Sequence, residues 1–127
     1  MNIALDTNAY NEMVKGVDRV TQAISRATRV IVPFIVLAEL RAGFAVGSKR
    51  SANEKQLDAF LAKPGVEVMY ANGETVLIYA TIYTQLRKSG KMIPTNDIWI
   101  AALAIQHHLT LCSDDTHFDC LPQIMRV

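Results

Sequence analysis

The chain has 127 residues, half of them hydrophobic and a fifth charged, which suits one globular domain with a real core and excludes a disordered chain. Its formal net charge of +1 shows no gross bias towards a polyanion, and no apolar run reaches the roughly 18 residues that a membrane span needs. Two cysteines, Cys112 and Cys120, are too few for a disulfide framework and form no CxxC metal pair; with no basic-then-apolar leader at the amino terminus, a reducing cytoplasm is the expected setting.

Strand and helix patterns alternate along the chain. Residues 2–5 read as a short buried strand, followed by a helix capped by Thr7 or Asn8 that runs to about Lys15 and stops at Gly16. Val17, Val20, Ala23, Ile24 and Ala27 recur at helical spacing and predict an amphipathic helix over 17–27. A second strand covers 29–32, and Pro33 suits the opening of a helix that runs to about Phe44. Ser51 with Glu54 three residues later fits a capping box, so a helix is expected over 52–62. Pro64-Gly65 makes a turn into a third strand at 66–69. Asn72 or Thr75 then caps a long helix ending near Lys88, with Gly90 just beyond and Val76, Tyr79, Ala80, Tyr83 and Leu86 as its buried stripe. A helix over about 96–107 and a strand at 110–112 follow, with a short terminal strand at 123–125 also expected.

Strands separated by helices imply right-handed crossovers and a parallel sheet covered on both faces. The expected fold is therefore α/β: one domain over residues 1–127, in three layers, with a central, mostly parallel sheet of 4–5 strands flanked by helices. Ligands of such sheets bind beyond the carboxyl ends of the strands.

Four acids sit where core-forming sequence makes an acid costly. Asp6 ends the run Ile3-Ala4-Leu5, and Glu39 interrupts Ile35-Val36-Leu37-Ala38 before Leu40. Asp97 opens the run from Ile98 to Ile105, and Asp115 follows Leu109-Thr110-Leu111-Cys112. A desolvated carboxylate needs a hydrogen bond, a partner charge or a metal. Each acid also has a purely structural explanation: Asp6 as a helix cap, Glu39 as a solvent-facing residue, Asp97 as a complement to a helix dipole, and Asp114 or Asp115 as turn residues. The alternation of elements nevertheless brings all four to one rim of the sheet. Oxygen ligands of high negative charge select Mg²⁺ or Mn²⁺ over zinc, and such an ion lowers the pKa of a water it holds. His107 and His108 are adjacent and His117 is distant in sequence, so none of the three is expected to be a ligand. Thr7, Asn8, Asn96 and Ser113 are placed to orient the carboxylates. Setting the four acids aside leaves 13 basic and 8 acidic (12 − 4) residues, a mildly basic remainder in which Lys49, Arg50 and Lys55, and Arg87, Lys88 and Lys91, form two sets able to meet phosphates.

The segments Leu5-Asp6-Thr7-Asn8, Ala38-Glu39-Leu40, Asn96-Asp97-Ile98-Trp99-Ile100-Ala101-Ala102 and Leu111-Cys112-Ser113-Asp114-Asp115-Thr116-His117-Phe118 together resemble the PIN-domain ribonucleases, and in particular the VapC toxins of toxin–antitoxin pairs. The resemblance covers essentially the whole chain. It implies that Asp6, Glu39, Asp97 and Asp115 form an acidic quartet binding Mg²⁺ or Mn²⁺. A hydroxyl two residues before the last acid is Ser113, where Thr is common, and Asp115 fits the count of three residues to Phe118, although Asp114 lies beside it. The resemblance further implies RNA endonuclease activity, a homodimer, and a cognate antitoxin through which alone operator DNA is bound. A haloacid-dehalogenase-type phosphatase expects a second Asp two residues after the first, where Asn8 stands, and a receiver domain expects paired acids after the first strand. A non-catalytic module gripping a basic partner peptide in the acidic pocket is the remaining alternative.

Overall fold

A computed structural model describes residues 1–127. The elements run β1 (Asn2–Leu5), α1 (Thr7–Val14), α2 (Asp18–Arg26), β2 (Arg29–Pro33), α3 (Phe34–Val46), α4 (Arg50–Leu61), β3 (Val66–Met69), α5 (Gly73–Ser89), α6 (Thr95–Gln106) and β4 (Thr110–Cys112), with a 3₁₀ turn at Thr116–Cys120. The strands form one sheet in the order β3-β2-β1-β4, every pair parallel. Ala4 is in register with Ile31 on one side and Leu111 on the other.

β1 and β2 are the inner strands, so their side chains are apolar on both faces rather than alternating. Ile3, Ala4, Leu5, Ile31 and Val32 are all fully buried. Each large aliphatic among them contributes about 1.5–3 kcal/mol relative to an exposed position. α6 supplies the most deeply buried helix, with Ile98 and Ile100 to Ala104 all in the core. It packs on α5 and α3, and an aromatic run of Phe34, Trp99, Tyr79 and Tyr83 ties the three helices together, Trp99 and Tyr79 lying 4.4 Å apart.

Several local expectations are corrected. Asp6, not Thr7 or Asn8, caps α1, accepting the Ala9 N–H at 2.7 Å. α4 begins at Arg50 without a side-chain cap, so the box expected from Ser51 and Glu54 does not form; Glu54 instead pairs with Arg41 on α3. The capping box does form at α5, between Asn72 and Thr75, and Gly90 closes that helix at φ 69°, a conformation that favours glycine. The buried stripe of α5 is Thr75, Ile82 and Leu86 with Ile78 and Tyr79 half-buried, whereas Val76, Ala80 and Tyr83 are exposed. The stripe is rotated because Thr75, tied to Asn72 and Gln106, fixes which side of the helix faces α6. The terminal strand reduces to a single parallel bridge between Leu111 and Arg126, with Leu111 donating to Met125 and accepting from Val127.

Candidate functional site

The carboxyl rim of the sheet opens into a cleft of about 170 Å³ lined by Asp6, Thr7, Asn8, Glu39, Asp97, Ile100 and Asp115. All four acids singled out in the sequence meet there. β1 delivers Asp6 at its carboxyl end, and β4 leads through Ser113 to Asp115. α3 carries Glu39 in its second turn, and α6 carries Asp97 in its first turn. Asp6 is 5% exposed, Asp97 and Asp115 are half-buried, and Glu39 stands exposed at the lip. Glu39 reaches the cleft because its neighbours on α3, Val36 and Leu40, hold the buried stripe against the core. Ala38, Ala42 and Gly43 face outward and do not crowd it.

Short polar contacts orient the carboxylates. Thr7 Oγ1 donates to Glu39 Oε1 at 2.8 Å, joining the first turn of α1 to α3. Ser113 is buried; its hydroxyl accepts the Asp115 N–H at 3.1 Å and lies beside the Asp6 carboxylate. Asp115 caps the 3₁₀ turn by accepting the His117 N–H at 2.9 Å. Asn8 lies exposed on the cleft wall, while Asn96 is half-buried in the first turn of α6 and bonds none of the four acids. Asp114 and Asp115 part company: Asp115 faces the cleft, and Asp114 turns out to solvent, 3.7 Å from Arg19.

Charge pairing separates the cleft from the rest of the surface. Glu12, Glu54, Asp58, Glu67, Asp114 and Asp119 each meet an arginine: Arg19, Arg41, Arg29 or Arg126. None of the four cleft carboxylates forms an ion pair with a lysine or an arginine. Burial lifts the Asp6 carboxyl above its ordinary value of 3.8; hydrogen bonds from Ser113 and the Ala9 N–H oppose the rise, and the charges of Asp115 and Asp114 add to it. Burial likewise lifts Asp97, opposed by a hydrogen bond to His117 and reinforced by Asp115 and Glu39. Mutual repulsion in a partly dry cleft is relieved by a bound cation. The lining offers carboxylate and hydroxyl oxygens with no thiol, the donor set that suits Mg²⁺ or Mn²⁺.

A family model described as the PIN domain matches residues 3–122. The chain belongs to the PIN-domain family. It is 34% identical over 113 residues to Ribonuclease VapC1 of Haemophilus influenzae strain R2866, covering 84% of this chain and 81% of that one. It is also 28% identical over 126 residues to Ribonuclease VapC2 of Rickettsia felis, covering 95% and 92%. The crystal structure of VapBC2 from Rickettsia felis, bound to a DNA fragment from its promoter, superposes with a TM-score of 0.87 at 26% identity, covering 100% of this chain and 98% of that one. The three-layer α/β architecture expected from the sequence is thus that of the PIN fold.

Two residues at the site of this PIN domain escaped sequence reasoning. His117 Nδ1 lies 2.8 Å from Asp97 Oδ2 and 3.3 Å from Asp115 Oδ1. His117 is distant in sequence from His107 and His108 but only two residues from Asp115, and the 3₁₀ turn after Asp115 folds it back over the rim. His107 and His108 instead form the end of α6, where His108 takes a left-handed φ of 55°. Arg126 donates to the Asp115 backbone carbonyl at 3.0 Å and pairs with Asp119, so the terminal residues brace the loop that carries the last acid. Only a marker of the terminal segment returning to β4 could have revealed it.

Proposed function

We propose that this PIN domain is a divalent-metal-dependent endoribonuclease and the toxin of a toxin–antitoxin pair. The observation that carries this reading is the convergence of Asp6, Glu39, Asp97 and Asp115 on one cleft with no lysine or arginine to neutralise them. The relatives named ribonucleases support RNA as the substrate class.

Asp6, Asp97 and Glu39 would hold Mg²⁺ or Mn²⁺, with Asp115 completing the charge. When bound, the ion supplies an acidified water as nucleophile and offsets charge developing on the phosphorane oxygens. Asp6 is the anchor, because its cap bond to Ala9 and its place after β1 fix one carboxylate against the core. Thr7 holds Glu39 in its orientation at the lip, and Ser113 fixes the Asp115 backbone beside Asp6. Lys49, Arg50, Lys55, Arg87, Lys88 and Lys91 are all exposed and free of ion pairs, available to the RNA backbone. The antitoxin would cover the cleft and carry the contacts to operator DNA; a homodimer is the assembly we infer from the same kinship.

Incubation with total RNA, with EDTA and then with Mn²⁺, followed by mapping of cut ends, tests the reading. Cleavage abolished by EDTA and restored by Mn²⁺ is expected. Full activity in EDTA would overturn the metal mechanism. Tight binding of a basic peptide with no cleavage at any Mn²⁺ concentration would favour a non-catalytic module.

A further inference from the structure

We propose that His117 supplies an imidazole nitrogen, beside Asp97 and Asp115, to the ion of the acidic cleft, so that the site prefers Mn²⁺, a metal that accepts nitrogen, over Mg²⁺. This rests on the metal-dependent reading of the cleft and adds to it a ligand of a different chemical kind.

One ligand atom from each of Asp97, Asp115 and His117 can be chosen so that all three lie within 4.8 Å of one another. Neighbouring ligands on a six-coordinate ion with bonds near 2.1 Å are separated by roughly 3 Å. The separations of His117 Nδ1 from Asp97 Oδ2 and Asp115 Oδ1, 2.8 Å and 3.3 Å, match two such edges. The ring is held over this face by the backbone rather than by burial. Asp115 caps the 3₁₀ turn through the His117 N–H, and the next residue, Phe118, is buried in the core and anchors the turn. The His117 side chain is 46% exposed and has no other hydrogen-bonding partner, so the core does not require it. Its neighbour Thr116 is exposed and Asp119 is engaged by Arg126, which leaves His117 as the group of this turn that faces the acids.

The chemical consequence follows from ligand preference. Mg²⁺ takes oxygen ligands and gives up its waters reluctantly, whereas Mn²⁺, although it also favours carboxylates and stands lowest among the divalent transition metals in affinity, accepts an imidazole more readily than Mg²⁺ does. A nitrogen in the set therefore raises affinity for Mn²⁺ relative to Mg²⁺ and leaves Mg²⁺ almost unaffected.

The test uses the full chain stripped of metal. Pulsed electron paramagnetic resonance of the Mn²⁺-loaded protein should show ¹⁴N modulation from one imidazole, and His117→Gln should abolish it. Calorimetry should show Mn²⁺ affinity falling about tenfold in His117→Gln, with Mg²⁺ affinity nearly unchanged. Because the side chain is exposed, the variant should keep its Tm in the absence of metal, and His107→Gln should retain the modulation. Mn²⁺ bound without nitrogen modulation, or modulation that survives His117→Gln, would overturn the assignment while leaving the acidic cleft as the metal site. No Mn²⁺ binding by the unaltered chain would overturn both.

Discussion

The two rims of the sheet solve the problem of charge in opposite ways. At the amino rim, where β2 and β3 begin, Glu67 pairs with Arg29 across neighbouring strands. The chain there is closed by backbone bonds from Thr28 to Met1 and from Val30 to Gly65. The cavity beside it, about 270 Å³, is lined by Met13, Ile24, Phe60 and Val66 and contains no acid. At the carboxyl rim, Asp6, Glu39, Asp97 and Asp115 share a cleft with no lysine or arginine. The first rim is finished when the chain folds. The second is left with a charge conflict that folding does not resolve, and an unresolved conflict of this kind is what a cation-dependent site requires.

The sharpest way to break this contrast is to remove one cleft charge. Asp97→Asn should lower RNA cleavage at least about a hundredfold, since several kcal/mol of transition-state stabilisation depend on the ion; rates with Mn²⁺ check this. Far-ultraviolet circular dichroism should be unchanged, because the amide fits the same half-buried place. Thr7→Val should cost about tenfold in metal affinity by freeing Glu39, measured by Mn²⁺ titration.

Metal-free stability sharpens the contrast further. Asp6 and Asp97 both have folded-state pKa values raised above 3.8, so the folded chain holds their protons more tightly than the unfolded chain. That contribution is fully present below 3.8 and is lost as pH rises through the raised values, so these two groups destabilise the metal-free protein at neutral pH. Asp6→Asn keeps an oxygen to cap α1 and removes the charge, so it should raise the metal-free Tm at pH 7 and flatten its fall with pH. Added Mn²⁺ should raise the Tm of the unaltered chain and do so less for the variant. The smallest effect belongs to the other rim. Arg29→Ala should cost less than about 1 kcal/mol in urea unfolding and leave cleavage intact, because the pair is half-exposed.

The residues show unevenly how much could be read in advance. Asp6 was legible because a carboxylate directly after three core residues has few innocent explanations, and its role as the cap of α1 does not remove it from the cleft. Asp97 was legible because it directly precedes a long apolar run, Ile98 to Ile105. The choice between Asp114 and Asp115 was not, since adjacent residues after a strand point to opposite sides and only the fold shows which side holds Arg19. The buried stripe of α5 was misread by about one position, because apolar periodicity there is blurred and a polar residue, Thr75, sets the rotation. The capping signal at Ser51 failed where Arg41, from another helix, took Glu54 for itself.

The sequence by itself determined the alternation of strands and helices, the parallel sheet, and the four acids at the margins of buried elements. Those signals are local: apolar periodicity, a turn residue, or a charge beside a core run is written in consecutive positions. The tertiary structure alone decided that His117 and Arg126 attend the same site, that Asp114 is turned away from it, and that no lysine or arginine pairs with the four cleft carboxylates. These facts depend on which distant residues share a neighbourhood, and a chain of 127 residues fixes that only when its whole core packs at once.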